Sequence, residues 1–270
     1  MIAEMYKRRK NLGYVFLGFM ILVFAGWPLF QPPKTTGEWL EMLVFLLPLG
    51  LIFSIIFTSR SHYNKVKGLD IPNSKQLLPD LNHVVIKKDA GLIPRLLLFE
   101  KDGKFIGMMK PLHISWWMLP FGMFNESLFR LFPFTYGFIS HDSTTQFTSR
   151  KTGWLKQVTL TILDRENREI GTYIQEELKA LFRITGRLSD EKQEEIMTIQ
   201  ASGFSGDFRW KDKEGKQWAY FYKGRFPHEY TSLFRDTHHD IVELSDQLSY
   251  QNKIRLLAVI GYLFTARVNQ

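Results

Sequence analysis

The chain has 270 residues, a net charge of +8 and no cysteine. Without cysteine it has no disulfide, no thiolate nucleophile and no cysteine-ligated metal site. Residues 1–67 hold eight Lys/Arg and three Asp/Glu, a net charge of +5, while the other 27 basic and 24 acidic residues give only +3. Nucleic-acid binding would need basic charge concentrated on the folded domain, so this distribution excludes a nucleic-acid partner from our expectations.

Two apolar runs, residues 12–30 and 39–57, dominate the N-terminal quarter. Each has about the 20 residues that a helix needs to cross a ~30 Å hydrocarbon core. Pro32 and Pro33 predict a turn between them. A signal peptide is the alternative for the first run, but no small-x-small cleavage site follows it and the second run comes at once. We predict a basic N-terminus (1–11), a transmembrane helix (12–30), an external loop (31–38), a second transmembrane helix (39–58) and a basic connector (59–79).

Basic residues flank these two runs unevenly. Four precede the first run, Lys34 lies between the runs, and three follow the second. Because cytoplasmic flanks carry the excess of Lys and Arg, both termini are expected in the cytoplasm, with the chain crossing the cell membrane twice. The cytoplasmic face would gather seven cations that could contact anionic lipid, or that serve only to set the topology. These seven are Lys7, Arg8, Arg9, Lys10, Arg60, Lys65 and Lys67.

Residues 80–270 predict a mainly β domain on the cytoplasmic side. Strand-like segments cover residues 84–86, 96–99 and 105–106. Three stretches, 97–107, 161–171 and 208–219, each place a charged turn with Gly or Asn between two strand-like segments, as in a β-hairpin. Repeated hairpins predict an antiparallel sheet or barrel. Residues 189–200 are the exception, because Ser189, Asp190 and several acids ahead of Ile196 and Met197 predict a short surface helix.

An aromatic block covers residues 113–140, in which Glu126 and Arg130 are the only formally charged residues. Pro120 and Pro133 argue against a third membrane span. Two interpretations stay open: the rings between residues 116 and 138 fill the core, or some of them lie on the bilayer, where Trp and Tyr favour the headgroup region. Trp116 and Trp117 are the candidate lipid-facing residues of this block.

Residues 254–264 predict an apolar helix, bounded by Lys253 and Arg255 at one end and by Arg267 at the other. Only about eleven residues separate the two arginines, too few to cross a bilayer. Because the helix is apolar on nearly every face, it predicts burial on all sides, inside a barrel. A helix of this kind at 252–268, together with the repeated charged turns ending in Ile-Gly, resembles the tubby C-terminal-like fold that is shared with the LURP-one-related and phospholipid scramblase groups. The resemblance covers residues 80–268 and implies a closed antiparallel barrel around this helix. The phosphoinositide signature of animal tubby proteins is not found, and the scramblase group carries its membrane segment at the other end.

No motif in the sequence predicts catalysis, a cofactor or a metal site. His238-His239-Asp240 lacks the i, i+4 spacing of helical metal ligands and is interpreted as a solvated turn. His141-Asp142 precedes Ser143 without the G-x-S-x-G elbow of a hydrolase. Residues 203–206 lack the Lys-Ser/Thr ending of a phosphate-binding loop.

The sequence therefore predicts an α+β membrane protein, with a two-helix transmembrane hairpin and a mainly antiparallel β-barrel around a buried C-terminal helix. The expected role is a non-enzymatic binding or scaffold module at the cytoplasmic membrane face, in contact with membrane lipids and with a protein partner that the sequence does not identify. The alternatives are a lipid-scrambling or transport-related oligomer, disfavoured because the spans lack central charges, and a membrane-tethered enzyme.

Overall fold

A computed structural model describes residues 2–30, 32–44, 46–69, 71–89, 93–115, 118, 132–154, 156–176, 183–202, 208–224 and 239–266. The chain divides into two compact units, Met1–Asp70 and Ile71–Gln270. The first is helical, and the second is a β domain with one long helix.

The helical unit contains α1 (Ile2–Phe30), α2 (Thr36–Val44) and α3 (Leu46–Val66). Within the described residues, α1 alone is both long enough and apolar enough to cross a membrane. The predicted crossing by residues 39–58 therefore stays a prediction. The basic N-terminus is helical, and α3 continues to Val66, so the first part of the predicted connector is helical too.

The β domain is one antiparallel sheet of twelve strands. Its strands are β1 (His83–Asp89), β2 (Arg95–Phe99), β3 (Phe105–Pro111), β4 (Phe134–Ser140), β5 (Thr145–Gly153), β6 (Gln157–Leu163), β7 (Glu169–Glu176), β8 (Arg183–Asp190), β9 (Glu195–Ser202), β10 (Phe208–Lys211), β11 (Gln217–Gly224) and β12 (His239–Leu244). The predicted strands at 84–86, 96–99 and 105–106 lie in β1, β2 and β3 and are confirmed.

The sheet curls into a nearly closed barrel. The strand order is β10-β11-β12-β1 and then β2 through β9 in sequence, so β10 and β9 are its two ends. These ends lie side by side, and the indole Nε1 of Trp210 on β10 donates a hydrogen bond to the carbonyl of Gln200 on β9 at 3.1 Å. The buried Trp210 side chain thus bridges the one junction in this order where the described residues form no strand ladder.

One type of turn joins the two strands of five hairpins (β2–β3, β4–β5, β6–β7, β8–β9 and β10–β11), at residues 100–104, 140–144, 164–168, 190–194 and 212–216. In each, the first residue donates its N–H to the carbonyl four residues on, and the fourth residue donates back to the first. The fourth residue has a positive φ, which is the geometry of a three-residue hairpin loop with a bulge. These residues are Gly103, Ser143, Asn167, Gln193 and Gly215, with φ between +62° and +87°. Because the strands alternate in direction, all five turns lie at one end, which we call the hairpin rim. The other end is called the loop rim.

The predicted helix at 189–200 is wrong, since these residues form the end of β8, a hairpin turn and β9. The Asp190 carboxylate accepts the N–H groups of Lys192 (3.0 Å) and Glu194 (2.8 Å). An N-capping aspartate accepts N–H groups in much the same way, so the two structures share their sequence signal. Met197 and Ile199 are both buried, which is the two-residue alternation of a strand.

The C-terminal helix α4 (Tyr250–Ala266) fills the barrel, and its predicted burial on all sides is confirmed. Every residue from Lys253 to Leu263 is buried. Leu256, Ile260 and Tyr262 belong to one core cluster with inward side chains from the surrounding strands. The helix passes close to the wall, because a Cβ on Gly261 would lie 1.9 Å from the sulfur of Met109 on β3.

Two buried cations attach the start of α4 to the hairpin rim. Arg255 donates from Nε to the carbonyl of Ile170 at 2.6 Å and pairs through Nη2 with Glu191 at 2.5 Å. Lys253 donates from Nζ to the carbonyl of Pro79 and to Asn82. Burial lowers the pKa of both groups. Both cations have hydrogen-bond acceptors, which reduces the free-energy cost of removing their charge from water. Their contacts hold α4 at a fixed depth in the barrel.

Candidate functional site

The cationic residues predicted to face lipid lie at one end of an antiparallel helix pair. The Tyr6 ring of α1 stacks on His62 of α3 with the ring centres 5.2 Å apart. One turn along α1, the Lys10 ammonium lies 5.3 Å from the centre of the Tyr63 ring, a cation–π distance. The two helices also approach closely at Gly13, where a Cβ would lie 2.6 Å from Ile56 Cγ1. Close packing at glycine is a common feature of membrane helix pairs.

This arrangement brings together the basic residues from both helices, which we call the basic end. Lys7, Arg60, Lys65 and Lys67 are exposed, while Arg8, Arg9 and Lys10 are partly exposed. Lys7 makes one ion pair, with Glu4 at 3.7 Å. Lys65 lies in the last turn of α3, where a cation is favourable to the helix dipole. The sequence predicted these cations on one face of the membrane. The contacts of Tyr6, His62 and Tyr63 show how the two helices bring them together.

Beyond the basic end, all three helices of the helical unit carry exposed large apolar side chains. Of the 23 large apolar side chains that are exposed among the described residues, 19 lie between Tyr14 and Phe57. They include Leu22 and Phe30 on α1, Leu47 on α3 and Trp39 on α2. A soluble surface rarely carries contiguous apolar patches larger than a few hundred Å², so a surface of this kind normally faces lipid or another protein.

The other two predicted lipid-facing residues, Trp116 and Trp117, lie outside the described residues. The aromatic rings of this block at Phe134, Tyr136 and Phe138 are buried. Phe138 belongs to the main core cluster, and Phe134 and Tyr136 form a smaller cluster with Met118. Burial raises the pKa of Tyr136 to about 12, partly offset by a hydrogen bond with Thr265 of α4. For residues 134–138 the interpretation as core is therefore confirmed.

His239 and Asp142, which were considered as a metal ligand and as part of a catalytic triad, lie in a strand and in a hairpin turn of the β domain. His239 is buried on β12, so its assignment to a solvated turn is wrong, and His238 lies outside the described residues. Asp142 lies in the β4–β5 turn, where hydrogen bonds from the Ser140 hydroxyl and from Thr144 lower its pKa to about 2. Across the described ranges, no three His, Asp or Glu side chains are grouped as a metal site would require.

Two features were not anticipated from the sequence. Tyr6 and Tyr63 each lie four residues or fewer from a predicted lipid-facing cation, and this proximity of rings to cations was the available signal. Trp154 follows β5 directly and is the largest exposed apolar side chain described in the β domain. In the sequence, the feature that could have marked Trp154 is a tryptophan between Gly153 and Lys156 at the end of a strand.

Comparisons with protein-family models, with curated proteins and with solved structures gave no match.

Proposed function

We propose that this chain is a membrane-anchored, non-catalytic binding module. Its helical unit crosses the cell membrane twice, its basic end collects anionic lipid at the cytoplasmic face, and its β domain is a tubby-like barrel. The observation that carries this proposal is the division of one antiparallel helix pair into an exposed apolar part and a cationic end. In water the apolar part would be strongly disfavoured, and in a bilayer it is solvated by lipid while the cations meet the headgroups.

The second crossing is supported by the exposure of α2 and α3. Trp39, Leu43, Leu47, Leu51 and Phe57 are all exposed, at positions spread along residues 39–57. The tubby-like assignment is supported by the architecture, a nearly closed antiparallel barrel around an apolar C-terminal helix.

The lipid preference can be measured on the full chain reconstituted in phosphatidylcholine bilayers. Trace spin-labelled phosphatidylglycerol and phosphatidylcholine report the fraction of each lipid held at the protein. A basic residue near an anionic surface contributes roughly 1 kcal/mol. We therefore expect several-fold selectivity for phosphatidylglycerol, weakened by salt because the Debye length is only ~8 Å at 0.15 M. Replacing Lys7, Arg8, Arg9 and Lys10 by Gln should remove most of the selectivity.

The matched control removes the same number of exposed cations from the β domain, by replacing Lys101, Lys192, Lys211 and Lys213 with Gln. This variant should keep the selectivity of the parent. Equal retention of the two lipids by the parent chain would refute the anionic-lipid part of the proposal.

A further inference from the structure

The five hairpin-rim turns are polar, whereas on the loop rim β5 is followed by an exposed tryptophan in the β5–β6 turn. The three central residues of each of the five hairpin-rim turns include no Leu, Ile, Val, Met, Phe, Tyr or Trp. On the loop rim, Trp154 follows the last residue of β5 and is 55% exposed. Burying a tryptophan ring in the core would stabilise the fold, and an exposed tryptophan does not contribute this stabilisation. The hairpin rim also exposes Tyr250, at the start of α4, so the β5–β6 turn is distinguished by an exposed indole that lies close to basic side chains.

Trp154 is held in its exposed position by the turn that carries it. Gly153 has φ +77°, and a Cβ there would lie 2.2 Å from the carbonyl oxygen of Gln157. The buried Lys151 donates from Nζ to the carbonyls of Gly153 and Phe132, both at 3.1 Å. The β5–β6 turn is therefore fastened to the segment that enters β4, next to the apolar cluster of Phe134 and Tyr136.

The charges around this turn indicate what it contacts. Lys156 is exposed two residues after Trp154, and Arg150 is exposed on the outer face of β5. Glu176, at the end of β7, is the acidic neighbour, since it pairs in register with Gln157. An indole flanked by more basic than acidic side chains matches the interface of an anionic bilayer, where Trp lies among headgroups and Lys and Arg meet phosphate.

We propose that the end of β5 and the start of β6 form a membrane-contact site, in which Trp154 enters the headgroup region of an anionic bilayer and Lys156 contacts lipid phosphate. This inference rests on the proposed membrane location, but it concerns the β domain and not the basic end.

The absence of cysteine permits a direct test with single spin labels on the full chain. Gln157→Cys places a label at the first residue of β6 on the loop rim, and Gln217→Cys places a matched label at the first residue of β11 on the hairpin rim; both positions are exposed. In liposomes of phosphatidylcholine and phosphatidylglycerol, collisions with oxygen and with a nickel chelate report depth. We expect the label at 157 to favour oxygen over nickel several-fold more than the label at 217.

Adding Trp154→Ala to the Gln157→Cys chain should return its label to water-like accessibility. If the label at 157 is as nickel-accessible as the label at 217, the inference is wrong, while retained phosphatidylglycerol selectivity at the basic end would leave the proposed function standing. Protection of the label at 157 from both oxygen and nickel would indicate a protein contact and would also overturn it.

Discussion

Replacing Ile260 by Asp should unfold the β domain. Ile260 lies in the middle of α4, is 1% exposed, and belongs to the core cluster formed with the barrel strands. An unpaired carboxylate at such a site costs several kcal/mol, and the burial energy of the isoleucine, ~1.5–3 kcal/mol, is lost as well. The sum is comparable with the ~5–15 kcal/mol that stabilises an ordinary domain. In the full chain in detergent, we expect loss of near-UV circular dichroism and of resistance to trypsin across the β domain.

Gln251→Asp is the matched control, because Gln251 is exposed in the first turn of the same helix. A carboxylate at that position is favourable to the helix dipole and should leave the protease resistance unchanged. An Ile260→Asp chain with the melting temperature and tryptic pattern of its parent would show that α4 does not fill the barrel.

Replacing Trp210 by Ala should be the second most damaging change, because it opens the junction between β9 and β10. Trp210 is among the largest fully buried side chains, and its ring packs on Phe221 with the centres 4.4 Å apart. Removing a buried tryptophan costs ~3–5 kcal/mol. We expect a marked fall in the denaturant midpoint of the β domain, and faster amide exchange in β9 and β10 than in β6 and β7.

Trp210→Phe separates the two roles of this side chain. It keeps an aromatic ring in the core but removes the hydrogen bond to Gln200, which is worth ~0.5–1.5 kcal/mol. Its loss of stability should therefore be well below that of the alanine variant. If both variants unfold at the midpoint of the parent, Trp210 does not close the barrel.

The hairpins were predictable where glycine or asparagine marks the left-handed position of the turn. Gly103, Asn167 and Gly215 reveal three of the five turns, and the other two place Ser143 and Gln193 there, residues that adopt positive φ less readily. The Gln193 turn was assigned to a helix because the Asp190 carboxylate makes the hydrogen bonds of a cap in either setting. Local chemistry thus revealed three of the five hairpins, while the sequence alone did not determine the number of strands in the barrel.

The candidate site was predictable in its charges and not in its contacts. Hydropathy and the positions of Lys and Arg were enough to place the seven cations on one predicted face. The stacking of Tyr6 on His62 and the close approach at Gly13 depend on how α1 and α3 are rotated about their axes. Side-chain packing between the helices determines that rotation, and a pattern with hydrocarbon on every face carries little information about it.

Labelling with a membrane-impermeant maleimide distinguishes the proposed two-pass anchor, with its β domain in the cytoplasm, from other topologies. Because the chain has no cysteine, single changes at exposed positions give unambiguous sites: Thr35→Cys in the predicted external loop, Asn64→Cys near the end of α3, and Gln217→Cys in the β domain. In intact cells we predict labelling at position 35 alone, with positions 64 and 217 reacting only after the membrane is permeabilised. Labelling at position 217 in intact cells, or protection of position 35 while position 64 reacts, would contradict this topology.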